Sequence, residues 1–106
     1  MVYLSNAFSL GMLSGNNVLT VVELSNDQAI LLLKDGFQSA VGHQATADFI
    51  KNLTGLDIPV NRVALSLKKG DMILVLQLQG RLPEGKVLSE DEMKQIPYKW
   101  YLVEVK

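Results

Sequence analysis

The chain has 106 residues, 48% of them hydrophobic and 20% charged, which describes one ordinary globular domain with no room for a second core. Ten Lys and Arg against eleven Asp and Glu give a net charge of −1, without the basic excess that a duplex nucleic acid partner would call for. The lack of cysteine excludes disulfides, thiolate metal sites and a thiol nucleophile, and a single histidine excludes a metal site of clustered imidazoles within one subunit.

In chain order, residues 2–4 read as a short first strand. Ser5-Asn6-Ala7-Phe8-Ser9 reads as a polar turn into a short helix ending near Gly15. Residues 18–24 are rich in β-branched side chains and predict a strand. Ser25 or Asn26 caps a helix that runs to Lys34, with Gly36 as its stop signal. Residues 37–41 read as another short strand. Gly42-His43 then opens a helix through Leu53, with Ala47, Phe49, Ile50 and Leu53 as its apolar positions and Gly55 as its end.

Alternation of Val63, Leu65 and Leu67 predicts a strand over residues 62–67. The turn Lys68-Lys69-Gly70-Asp71 would join it to a partner over residues 72–78 as a hairpin. Gly80, Pro83 and Gly85 mark residues 79–86 as a loop, and Ser89-Glu90-Asp91-Glu92 is a capping box before a short helix. Pro97 breaks that helix, and residues 99–105 form the last strand. The expected fold class is α/β: a single small domain over residues 1–106, with a mixed sheet of about five or six strands and helices packed on it. The predicted hairpin is what makes the sheet mixed.

No apolar run approaches the roughly 18–20 residues that span a bilayer, so no membrane partner is expected. The opening MVYLSNAFSL has no basic n-region of a secretory signal, and the chain is expected to stay in the cytoplasm.

Chemistry has few places to sit. Gly42-His43-Gln44-Ala45-Thr46 begins a helix, and the unpaired amides of a helix N-terminus favour an anion such as phosphate. Gly42 allows close approach, and His43 would stand beside the anion; the plainer alternative is a surface histidine that happens to start a helix. Arg81-Leu82-Pro83-Glu84-Gly85 puts an arginine and a glutamate in one loop, where they either cover a ligand or form a solvated turn. Asn6 and Ser9 follow a strand end and suit either a ribose or base edge or ordinary turn capping. Asn61-Arg62 starts the predicted strand, where a charged end is unremarkable. Tyr98, Trp100 and Tyr101 can stack on bases or pack a core.

Taken together, VYLSNAFS, VGHQATADFI and NRVALSLKKGDMILVLQLQGRLPEGKVLSEDEM resemble the viral ring nucleases, anti-CRISPR proteins of archaeal viruses and phages with homologues in type III CRISPR loci. The ordered set SNAFS, GHxxT, NR and RLPEG covers nearly the whole chain. The resemblance implies a homodimer that binds cyclic tetra-adenylate. It implies cleavage, with no metal and no cofactor, to linear di-adenylates bearing 2′,3′-cyclic phosphates, which switches off type III CRISPR signalling. By the same resemblance His43 is the general acid on the departing 5′ oxygen, and Glu84 supports it. Arg81, Asn6, Ser9, Arg62 and Gln77 line the ligand site, with Gly42 and Thr46 in the histidine motif. Ala45 stands where many members carry Ser, and Gly11 where many carry Asn.

This chemistry suits the residues at hand. A ribose 2′-hydroxyl beside the scissile phosphate is a built-in nucleophile, so the protein need only hold it in line and protonate the leaving oxygen. The alternatives are a host enzyme of the same activity that acts as a brake, and a dimer that sequesters a cyclic nucleotide without cutting it.

Overall fold

The computed structural model describes residues 1–79, 91, 92 and 95–106. Its elements are β1 (Val2–Ser5), a 3-10 turn (Leu10–Met12), β2 (Leu19–Leu24), α1 (Asn26–Lys34), β3 (Gln38–Ser39), α2 (Gln44–Thr54), β4 (Met72–Leu78) and β5 (Tyr98–Val105). The strands form one five-stranded sheet in the order β2-β5-β4-β1-β3. It is mixed: β1 runs parallel to both β3 and β4, while β5 lies antiparallel between β4 and β2. The α/β class is as expected from the sequence, with five strands.

Both helices begin and end where local chemistry dictates. At the start of α1 the Gln28 N–H donates to Ser25 Oγ at 3.2 Å, and the Ser25 N–H donates to Gln28 Oε1 at 2.9 Å. This reciprocal capping box satisfies two amides that the helix cannot pair itself. At the other end of α2, Gly55 adopts φ +74° and its N–H donates to Lys51 O at 2.7 Å. That left-handed conformation is costly for any residue with a Cβ, which is why glycine ends the helix here.

The centre of the sheet is buried on both faces, while the edge strand β2 is largely exposed. On the helix side Leu4, Leu74, Leu76 and Trp100 pack with Ala29 and Leu33 of α1 and Ala47, Phe49 and Ile50 of α2. Trp100 sits between Leu24 and Leu76 in the register, and Tyr98 meets Phe49 edge to face with ring centroids 6.0 Å apart. Two of the three aromatics of the last strand are therefore core packing. On the opposite face Ile73, Val75, Val103 and Val105 are covered by Phe8, Met12, Leu13, Leu65 and Leu67. Burial on both sides explains why Ile73, Leu74, Val75 and Leu76 form an unbroken apolar run.

The expected hairpin is a correction. Residues 62–67 form no ladder with β4. The alternation there is real, but it marks a chain lying on a sheet face: Leu65 and Leu67 join the second core, and the Leu67 N–H donates to Met12 O at 2.7 Å. The turn at Lys68–Asp71 does form, with the Asp71 N–H on Lys68 O at 2.9 Å and the Gly70 N–H bonded to Val105 O of β5 at 2.8 Å. Antiparallel pairing with β5, not a hairpin, makes the sheet mixed. The capping box expected at Ser89 and Glu90 lies outside the described residues. No helix among the described residues is long and apolar enough to cross a membrane.

Candidate functional site

Three parallel strands, β4, β1 and β3, end at the same side of the sheet. The crevice beyond the carboxyl ends of such strands is where open α/β sheets hold ligands. Asn6 follows β1 directly there, Gln77 lies beyond Val75 toward the end of β4, and residues 40–42 carry β3 into α2. Asn6 is half-buried, whereas Gln77 is exposed and its Nε2 donates weakly to Leu78 O at 3.5 Å.

His43 is the residue that caps α2 at its N-terminus, with extended backbone at φ −135° and ψ 135°. Its carbonyl accepts the first helical bond, from the Ala47 N–H at 3.1 Å, so the amides of Gln44, Ala45 and Thr46 precede the hydrogen-bonded ladder. The His43 side chain makes no capping bond to them, and the residue is exposed. An imidazole without a hydrogen bond among the described residues, beside a turn of N–H groups likewise unpaired among them, is suited to an anion that needs a proton. Thr46 stands at 5% exposure on the buried side of this first turn, and its hydroxyl has no hydrogen-bond partner among the described residues. Ala45 is exposed on the same turn.

Arg62 joins this group through Gly42. A methyl group at Gly42 would lie 3.2 Å from Arg62 Cγ and 3.5 Å from its Cβ, so any larger residue there would press the arginine stem outward by a few tenths of an ångström. The chain around Arg62 is tied to residues 39–41. The Asn61 N–H donates to Val41 O at 2.8 Å, and Asn61 Nδ2 donates to Ser39 O at 2.8 Å. Ser39 Oγ donates to Pro59 O at 2.6 Å and accepts from the Val41 N–H at 3.2 Å. The guanidinium of the exposed Arg62 has no ion pair or hydrogen bond among the described residues.

The structure thus brings Gly42, His43, Thr46 and Arg62 together, and sets Asn6 and Gln77 at the same end of the sheet. Ser9 is exposed at the start of the 3-10 turn, on the segment that covers the helix-free face, and no hydrogen bond among the described residues links it to His43. Arg81 and Glu84 lie outside the described residues. Ser39 escapes the sequence reading, and Asn61 enters it only as a strand start and as part of the NR motif, because both act through backbone carbonyls of distant residues. Their one signal is Pro59, which cannot donate to a ladder and so calls for side chains to replace it.

The family model described as STIV B116-like matches residues 2–100. Uncharacterized protein 26 of Sulfolobus islandicus filamentous virus (isolate Iceland/Hveragerdi) is 40% identical over 108 residues, covering 99% of this chain and 92% of the relative. Uncharacterized protein ORF116 of Acidianus filamentous virus 1 (isolate United States/Yellowstone) is 32% identical over 96 residues, covering 89% of this chain and 83% of the relative. The solved structure of B116 of Sulfolobus turreted icosahedral virus aligns with a TM-score of 0.85 at 32% identity, covering 97% of each chain. The chain belongs to the STIV B116-like family.

Proposed function

We propose that this protein binds cyclic tetra-adenylate and opens it, without a metal, into linear di-adenylates ending in 2′,3′-cyclic phosphates, which removes the messenger of type III CRISPR immunity. The observation that carries this reading is the His43 side chain at the N-terminus of α2, which makes no bond to the helix amides, with the Arg62 stem one residue away against Gly42. The ring itself comes from the resemblance to the viral ring nucleases.

In this scheme the amides of the first α2 turn and the Arg62 guanidinium hold the scissile phosphate. The ribose 2′-oxygen attacks phosphorus, its proton passing to solvent, while the bond to the 5′ oxygen breaks and His43 delivers a proton to that oxygen. Nucleophile and leaving group both belong to the ligand, so placement and one acid suffice. The resemblance to the viral ring nucleases adds Arg81 as a ligand contact and Glu84 as support for His43. Asn6, Ser9 and Gln77 contact the adenosine units. A second copy completes the site: a two-fold pair offers identical patches to a ring of matching symmetry, and two cuts yield two-unit products.

His43→Ala tests the assignment. Cleavage is expected to fall by about 10²–10⁴-fold, the usual contribution of a positioned general acid. Binding of the ring, read by calorimetry, stays within about threefold, because the amides and Arg62 remain. Turnover near the wild-type rate in the variant contradicts the role of His43, and failure of the wild-type protein to bind the ring contradicts the ligand.

A further inference from the structure

We infer that Asn61 is a positioning residue for Arg62: with Ser39 it clamps residues 59–61 onto residues 39–41, and that register lays the Arg62 stem across Gly42 beside His43. Three hydrogen bonds make the clamp, two from Asn61 to the carbonyls of Val41 and Ser39 and one from Ser39 Oγ to Pro59 O, while the Val41 N–H on Ser39 Oγ holds that hydroxyl in place. Ser39 is 6% exposed, so its bonds are sheltered from water. Pro59 has no N–H and residues 59–62 belong to no strand, so one backbone bond from Asn61 and the side chains of Asn61 and Ser39 supply what a β-ladder would otherwise give. The residues that follow the two clamped stretches are Gly42 and Arg62, and they meet at the close approach of Arg62 Cγ to the glycine.

The consequence is a division within one side chain. The Arg62 stem lies close against Gly42, while its guanidinium has no partner among the described residues. A charged fork on a fixed stem loses less freedom on meeting phosphate than one on a mobile stem. Asn61 spends its N–H on Val41 O and its Nδ2 on Ser39 O, so in this proposal it acts through Arg62. The inference rests on the ring-nuclease reading for its ligand, but its geometric part stands apart from it.

Two readouts test it. In the ligand-free protein, carbon-13 relaxation of the Arg62 Cγ methylene and the shift of the Gly42 amide are compared between wild type and Asn61→Ala. Greater Arg62 motion and a moved Gly42 signal are expected, with the α2 amides from Ala47 onward unchanged. Should Asn61→Ala fail to fold, Ser39→Ala removes the Pro59 tie while keeping the Asn61 N–H bond and takes its place. In calorimetry with cyclic tetra-adenylate, Asn61→Ala is expected to weaken binding about tenfold, the loss of roughly one charge-assisted hydrogen bond. The Asn61→Ala, Arg62→Ala double variant then binds no more weakly than Arg62→Ala alone. Unchanged Arg62 and Gly42 signals, or losses that multiply in the double variant, overturn the inference. A wild-type protein that ignores the ring overturns the functional reading instead, and the relaxation data still decide the role of Asn61.

Discussion

At the scale of single residues, the site depends on what His43 does not do. A residue in its position usually spends its side chain on the helix amides, as Ser25 does on Gln28. His43 leaves the first turn of α2 open, and Gly42 leaves room for the Arg62 stem. Ala45 is exposed on that open turn, so a hydroxyl added there faces the same anion. Ala45→Ser is therefore expected to fold as wild type and to bind cyclic tetra-adenylate about fivefold more tightly, as one hydrogen bond of about 1 kcal/mol allows. Calorimetry checks this, and an unchanged or weaker affinity would place the phosphate elsewhere. His43 was legible in the sequence as a lone imidazole at a helix start, and the glycine before it as a point of close approach. That the approach is made by Arg62 was not legible, because the contact joins residues twenty positions apart with no local pattern between them.

At the scale of elements, the two helices are tied through one side chain. Asn26, the first residue of α1, donates from Nδ2 to Leu53 O of α2 at 2.9 Å and accepts at Oδ1 from the Trp100 Nε1–H of β5 at 3.0 Å. Trp100 is 1% exposed, so its indole N–H has no water to turn to. Asn26→Ala leaves the buried Trp100 N–H and the half-buried Leu53 carbonyl without this partner and is expected to cost about 2 kcal/mol in denaturant unfolding. A loss below about 0.5 kcal/mol would show that water replaces the amide. Element positions were well marked in the sequence wherever the signal is local. Ser25 and Gln28 announce α1, Gly55 ends α2, and β-branched residues mark β2. The alternation of Val63, Leu65 and Leu67 misled because period two reports which side chains are buried, not whether the backbone is paired. Lying on a sheet face buries Leu67 and partly buries Leu65 much as a strand would, while Val63 stays exposed.

At the scale of the molecule, strand order decides where the site lies. Parallel pairing of β1 with both β3 and β4 gathers Asn6, Gly42, His43 and Gln77 at one end of the sheet. No local sequence signal encodes that order, since it arises from contacts between distant segments; only the resemblance grouped these residues beforehand. The proposed scheme also needs two copies, one for each cut in the ring. Light scattering at micromolar concentration is expected to give about twice the mass of the 11.7 kDa chain. A monomer with full ring-opening activity would contradict the shared site.

The central claim is that the ring's own 2′-hydroxyl attacks while His43 protonates the leaving oxygen. The most direct measurement is mass spectrometry of the products formed from cyclic tetra-adenylate in oxygen-18 water containing EDTA, with wild-type protein and with His43→Ala. The expected result is a di-adenylate with a 2′,3′-cyclic phosphate from wild type, carrying no heavy oxygen, and an intact ring from the variant. Heavy oxygen in the first product, or a ring left whole by the wild-type protein, would contradict the account.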